Sequence, residues 1–198
     1  MTRAAVLSII FCLAIPVDAM AIPVGFSGTY EEDQGSSGAT PDLYSFTNDV
    51  LSEAEINVIT LDLSGSAAVF DELGSAFQVL GGDAVGFTGA FTTAGNTLLT
   101  LLFTDFGAGE TFLFGVETDD SNGGFTTGAD FAGAVASVAF GGVIDPPSAA
   151  AFAADAGNGN LASASFIGLV ENREPGTAVL LSLGLVGMGV ARRRSRRS

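Results

Sequence analysis

The central part of the chain alternates apolar and polar residues in short runs that Gly, Asn and Asp separate. In the clearest run, Ile59, Leu61 and Leu63 share one face of an extended strand. Similar runs are Val24–Tyr30, Leu43–Thr47, Ala67–Phe70, Phe77–Leu80, Ala84–Phe91, Thr97–Phe103, Thr111–Glu117, Ala134–Phe140 and Ala162–Val170. Because many short strands follow one another without a long helical period, the sequence predicts an all-β protein, an antiparallel β-sandwich of the immunoglobulin-like or jelly-roll-like kind.

One segment of this central part favours a helix instead. Ser148–Ala154 follows two prolines, Ser148 is a suitable N-cap, and Gly157 follows the segment as a stop signal. The sequence therefore predicts a short helix there, with a loop as the alternative.

The basic residues of the chain are confined to its two ends. They are Arg3, Arg173, Arg192, Arg193, Arg194, Arg196 and Arg197. Between Ile22 and Asn172 there is no Lys, Arg or His, and this stretch holds 20 of the 22 acidic residues. Phosphate binding needs cationic side chains, so the composition excludes nucleic acid as a partner. The acidic surface serves solubility, or it binds cations.

The absence of Lys, Arg and His from this stretch excludes most kinds of catalytic site. The only cysteine, Cys12, lies near the N-terminus, so neither a Ser-His-Asp triad nor a Cys-His pair can form in the central part. Zinc and copper sites usually need His or Cys. A carboxylate pair remains, as in glycoside hydrolases, but the chain has no Trp and two Tyr to stack a sugar. The sequence favours a non-catalytic protein, with a glycoside hydrolase as the less favoured alternative.

Calcium is the one cofactor that the acidic residues suggest. Glu117, Asp119, Asp120 and Asp130 form the richest carboxylate cluster, on a segment expected to be a loop. Calcium takes oxygen ligands of this kind, although the spacing does not match an EF-hand loop. The alternatives are a calcium-dependent adhesin or carbohydrate-binding module and an ordinary Asp/Asn/Gly turn.

The N-terminus has the pattern of a secretory signal peptide. Arg3 precedes the apolar run Ala4–Ile15, and the small residues Ala19 and Ala21 form an A-x-A cleavage site. Export would use the secretion translocon and signal peptidase, with cleavage after Ala21. A retained N-terminal anchor is the alternative, but the run is short of the roughly 20 residues that span a bilayer.

The C-terminus combines a short apolar run with a basic tail. The run Ala178–Ala191 covers roughly 21 Å as a helix, which is less than the bilayer core. The arginines behind it, from Arg192 to Arg197, should stay in the cytoplasm. The pattern predicts a short transmembrane helix that tethers an exported domain to the inner membrane. A permanent single-span anchor is the alternative.

This tail resembles the PEP-CTERM sorting signal of Gram-negative bacteria. Glu174 and Pro175 match the last two positions of its Pro-Glu-Pro core, Gly176 and Thr177 follow as in the family, and Arg173 stands where the first proline is expected. The resemblance implies that an exosortase, a membrane cysteine protease, removes the tail near the motif. It also implies an association with extracellular polysaccharide.

The segment from Asp105 to Gly142 is similar to the β-sandwich ectodomains of such proteins.

Together these features predict three parts. Residues 1–21 are the signal peptide, 22–172 the β-sandwich ectodomain, and 173–198 the sorting signal. The expected function is that of a non-catalytic surface or extracellular-matrix protein. Its precursor is tethered at the inner membrane with its C-terminus in the cytoplasm, and the processed form is at the cell surface or outside the cell.

Overall fold

The computed structural model describes residues 20–32, 41–70, 77–92, 96–121, 126–142 and 147–172. In these ranges the protein is all-β with antiparallel sheets, which confirms the predicted class. The strands are β1 (Met20–Glu31), β2 (Asp42–Asn48), β3 (Ile56–Asp62), β4 (Ala68–Phe70), β5 (Gln78–Gly82), β6 (Phe87–Thr92), β7 (Leu98–Phe103), β8 (Thr111–Val116), β9 (Thr118–Asp120), β10 (Val135–Phe140), β11 (Ser148–Ala151), β12 (Ala153–Ala154) and β13 (Leu161–Asn172). The helix α1 (Gly128–Phe131) has four residues. Among the described residues, no helix has the length and apolar character needed to cross a membrane.

The strands form two large sheets and one small one. The six-stranded sheet has the order β12-β13-β1-β2-β8-β5, and the five-stranded sheet has the order β11-β10-β3-β7-β6. Strands β4 and β9 pair separately. Each of the ten predicted runs overlaps one of these strands.

The side-chain alternation of the strands explains how the two large sheets face each other. In and after β3, Ile59, Leu61 and Leu63 are completely buried, as predicted. Between the sheets, the Phe112 ring of β8 lies 5.1 Å from Phe103 of β7 and 5.0 Å from Phe87 of β6, measured between ring centroids. Phenylalanine supplies much of this single core, and each fully buried ring contributes about 2–3 kcal/mol of transfer free energy.

The predicted helix at Ser148–Ala154 is wrong. Ser148–Ala151 is β11, paired with β10, and Ala153–Ala154 is β12, paired with β13. Phe152 lies between them and is 2% exposed. The helix preference of alanine is worth less than about 1 kcal/mol per residue, so strand pairing and burial of the Phe152 ring outweigh it.

The first and last strands lie side by side. They pair antiparallel along their whole length, from Met20 opposite Asn172 to Glu31 opposite Leu161. The two ends of the described body therefore leave it at the same place, next to each other.

Candidate functional site

The most elaborate polar arrangement in the described structure begins with two paired tyrosines. Tyr30 of β1 lies opposite Tyr44 of β2, and both side chains are completely buried. Their ring centroids are 5.3 Å apart in an edge-to-face arrangement. Because side chains alternate along a strand, Asp42 shares the inward face of β2 with Tyr44 and is 4% exposed. The strand thus carries a carboxyl group into the core.

Three oxygen atoms surround the hydroxyl group of Tyr30. It lies 3.2 Å from each of Asp42 Oδ2, Glu32 Oε2 and the carbonyl oxygen of Thr126. A phenol has a single hydrogen to donate, so it can satisfy one of these acceptors at a time. A proton on the Asp42 carboxyl group would supply a second donor.

The pKa of Asp42 fits this requirement. Burial raises it from 3.8 to about 7, and the nearby charges of Glu32 and Glu117 add to the increase. Hydrogen bonds to the Asp42 carboxyl group from Tyr30 and Thr118 act in the opposite direction. Asp42 therefore exchanges its proton near pH 7, whereas an ordinary aspartate does so near pH 3.8.

The hydroxyl groups continue this network to the neighbouring strand β9. The hydroxyl of Tyr44 is hydrogen-bonded to that of Thr118, which is 2% exposed. Burial raises the pKa of both tyrosines above the usual range, so both stay neutral. The network, which we call the Asp42 cluster, consists of Tyr30, Glu32, Asp42, Tyr44, Glu117, Thr118 and Thr126.

Helix α1 covers one side of the Asp42 cluster. Its N-cap Thr127 forms a capping box with Asp130, in which Thr127 N donates to Asp130 Oδ2 at 2.9 Å. Phe131 at the end of the helix stacks on Tyr30, with ring centroids 4.1 Å apart. The buried Thr126 Oγ1 has no hydrogen-bond partner in the described structure. The cluster thus joins β1, β2, β9 and α1 at one place.

The described structure does not bring the four residues predicted as calcium ligands together as one group. Thr118–Asp120 forms β9, so the expected loop is wrong there, and Asp119 lies opposite Val69 of β4. Asp130 is held by the N-cap of α1, and hydrogen bonds to Thr127 lower its pKa. Among the described residues, no three His, Cys, Asp or Glu side chains are grouped so as to hold a metal ion. Residues 122–125 lie outside this part of the chain, and calcium binding stays a prediction.

The predicted processing sites lie at or beyond the ends of the described body. Ala21 is the second residue of β1 and lies opposite Glu171. The other predicted residues are outside the described ranges; they are Ala19, Glu174, Pro175, Gly176, Thr177, Arg192, Arg193, Arg194, Arg196 and Arg197.

The geometry of the Asp42 cluster suits it to holding a proton within the core. A general acid must come within hydrogen-bonding distance of its substrate, and Asp42 is enclosed by Tyr30 and Thr118 in the core.

Sequence reasoning missed the cluster, although a signal existed. Tyr44 and Phe46 are the apolar residues that show which face of β2 points inward. Because side chains alternate along the strand, Asp42, two residues before Tyr44, lies on the same face.

No protein-family model, curated protein or solved structure matches this chain.

Proposed function

We propose that this chain is a non-catalytic protein of the bacterial cell surface or extracellular matrix, exported and then sorted through its C-terminal tail. The signal peptide directs the precursor to the secretion translocon and signal peptidase. The tail holds the precursor in the inner membrane, with its C-terminus in the cytoplasm, until an exosortase-type protease removes it. The released domain acts outside the cell, where it associates with extracellular polysaccharide.

The distribution of charge carries this proposal. The described body, between residues 20 and 172, has no basic side chain, whereas the arginines stand in the two segments that processing would remove. A purely anionic surface keeps an exported domain soluble and away from anionic lipid. The arginine tail has the opposite role, because a basic cluster behind a short apolar run stays on the cytoplasmic side.

The fold is compatible with an ectodomain of the β-sandwich kind. The chain passes from one large sheet to the other between β2 and β3 and again between β7 and β8. Such crossings are typical of Greek-key sandwiches, which include the immunoglobulin-like and jelly-roll-like folds. We propose that the body belongs to this group, with a signal helix before it and a short transmembrane helix after it.

The pairing of β1 with β13 is compatible with tethering of the precursor by either terminal segment. Because Met20 lies opposite Asn172, the signal peptide and the sorting tail are attached at neighbouring points of the body. A precursor held by either segment presents the same end of the body to the membrane. After both segments are removed, every pair from Ile22 opposite Val170 to Glu31 opposite Leu161 remains.

Sorting can be tested in a Gram-negative host that carries an exosortase. We expect Glu174→Ala with Pro175→Ala to block removal of the tail, so that the chain accumulates in the inner membrane. Glu171→Ala is the matched control, because it removes a carboxylate just before the motif. Fractionation followed by immunoblotting measures the outcome. Normal release of the double variant would contradict the role of the motif.

A second variant tests the basic tail. Replacing Arg192, Arg193, Arg194, Arg196 and Arg197 with Gln removes the charge that holds the C-terminus inside. We expect the variant to escape tethering and to keep its tail. Tethering and processing at the wild-type level would exclude the proposed role of these arginines.

A further inference from the structure

The four most exposed of the large apolar side chains in the described structure lie at one end of the body. They are Val50 (75% exposed), Leu51 (71%), Ile167 (74%) and Leu169 (72%). Single exposed apolar side chains are common on soluble proteins, whereas a group of them marks an interaction site.

Backbone hydrogen bonds place these four residues beside the same short stretch of β1. On one side of β1, Ile167 and Leu169 of β13 lie opposite Gly25 and Pro23. On the other side, the turn 49–53 follows the same two residues of β1, because its first and last N–H groups donate to their carbonyl oxygens at 2.9 Å. Neighbouring strands lie about 4.8 Å apart, so the turn and β13 are about 10 Å from each other across β1.

Gly25 allows the two groups to meet over one face of β1. Ile167 Cγ1 and Asp49 Cβ lie 3.3 Å and 3.0 Å from the position that a Cβ atom at Gly25 would take. Asp49 Oδ1 accepts a hydrogen bond from Leu51 N at 2.8 Å, which holds the turn that carries Val50 and Leu51. We call Val50, Leu51, Ile167 and Leu169 the apolar end patch.

The apolar end patch lies near the point at which both terminal segments are attached. Leu169 precedes Asn172 by three residues, which is roughly 10 Å along β13. In the sequence, the apolar run Ala178–Ala191 follows after residues 173–177, which span at most about 18 Å. Under the function proposed above this run lies in the inner membrane, so the bilayer surface is within reach of the patch.

We propose that the apolar end patch rests on the outer surface of the inner membrane while the tail tethers the precursor, with its side chains at the boundary between headgroups and acyl chains. Apolar side chains bind at this boundary with a strength that increases with the apolar area they bury. The tether makes even a weak contact effective, because it keeps the patch at a high local concentration near the bilayer. The proposal rests on the proposed function and adds a lipid contact of the folded body to it.

Carboxylates in the neighbourhood of the patch indicate which lipids suit it. The exposed Glu53 ends the turn, and Glu171 follows Leu169 by two residues. An anionic bilayer surface would repel these groups, whereas zwitterionic headgroups carry a cationic group as well as a phosphate and would not. The partner of the patch is therefore a zwitterionic bilayer surface.

Nitroxide labels on the full chain, reconstituted in phosphatidylcholine vesicles, test this contact. In a Cys12→Ser background, single labelling sites are Leu51→Cys and Ile167→Cys in the patch, Phe91→Cys in the other large sheet, and Leu185→Cys in the tail. Electron paramagnetic resonance measures how often each label collides with oxygen, which dissolves preferentially in lipid, and with a nickel chelate, which stays in water.

We expect the two patch labels and the Leu185→Cys label to collide mostly with oxygen, and the Phe91→Cys label to collide mostly with the nickel chelate. If the Leu185→Cys label lies in lipid and the patch labels lie in water, the patch proposal is wrong while the tether stands. If the Leu185→Cys label itself lies in water, the proposed tether is wrong, and the patch proposal is overturned with it. Lipid contact of the Phe91→Cys label equal to that of the patch labels would also overturn the proposal.

Charged residues placed in the patch supply a second test. Ile167→Glu combined with Leu169→Glu should move the Leu51→Cys label from lipid into water. Val79→Glu combined with Leu80→Glu is the matched control, because it places the same two charges on exposed apolar residues of β5, at the far edge of the same sheet. Far-UV circular dichroism checks that both variants are folded. A Leu51→Cys label that stays in lipid in the patch variant, or that leaves it equally in the control, would contradict the proposal.

Discussion

Asp42 carries the most unusual chemistry of any residue in the described structure. A carboxyl group within the core would normally be paired with a cation, but residues 20–172 contain no Lys, Arg or His. The structure surrounds it instead with the hydroxyl groups of Tyr30 and Thr118 and raises its pKa to about 7. Neutralisation by a proton takes the place of an ion pair.

The stability of the protein should fall as the pH rises from about 4 to 7. The folded state holds the Asp42 proton up to about pH 7, whereas the unfolded chain releases it near 3.8. The stabilisation that protonated Asp42 provides is therefore complete below pH 3.8 and is lost as the pH rises through 7. The free energy of unfolding should fall by up to about 4 kcal/mol over this range. Urea unfolding at pH 5 and pH 8 measures the difference.

Asp42→Asn should flatten this dependence on pH, because asparagine does not titrate. The matched control is Asp105→Asn, because it removes an exposed carboxylate that lies outside the Asp42 cluster. The comparison uses the slope, so a general loss of stability in the Asp42→Asn variant does not affect it. Equal slopes in all three proteins would show that Asp42 does not hold a proton.

A second prediction concerns Tyr30. Its hydrogen bond lowers the pKa of Asp42, so Tyr30→Phe should raise the pH at which Asp42 titrates. It should also cost about 1–3 kcal/mol at pH 5, because buried acceptors lose their donor. NMR titration of the Asp42 carboxyl carbon measures the shift. A titration at lower pH than in the wild type would contradict this account.

At the scale of elements, strands with clear alternation were predictable and the others were not. The apolar phase of β3 was evident from Ile59, Leu61 and Leu63. By contrast, β9 has three polar residues, and its pairing with distant β4 gives no local signal. The alanines of β11 form a strand because β10 offers an edge. The Asp42 cluster was missed because it depends on contacts between elements far apart in sequence.

Substitution of Gly128 tests the packing of α1 against β13. A Cβ atom there would collide with the backbone carbonyl of Leu161, which cannot move without disturbing the start of β13. We expect Gly128→Ala to destabilise the protein by about 1–3 kcal/mol. Gly159→Ala is the control, because its Cβ meets no atom within 4 Å. The two urea midpoints give the answer, and equal midpoints would show that α1 is not held against β13.

At the scale of the whole molecule, a single sign of charge dominates. The 20 carboxylates between residues 22 and 172 have no basic partners within that stretch. We therefore expect the melting temperature at pH 8 to rise between about 0.01 and 0.5 M NaCl, because salt screens their mutual repulsion. The rise should be smaller at pH 4, where many carboxylates are protonated. A melting temperature independent of salt at pH 8 would contradict this expectation.

The central claim is that the acidic body is the mature protein and that both ends are removed outside the cytoplasm. Its most direct test is the intact mass of the protein released by a Gram-negative host with an exosortase. We predict a chain that begins at Ile22 and lacks the arginine tail. A full-length chain in the cytoplasm, with Met1 to Ala21 and Arg192 to Ser198 still attached, would contradict the account.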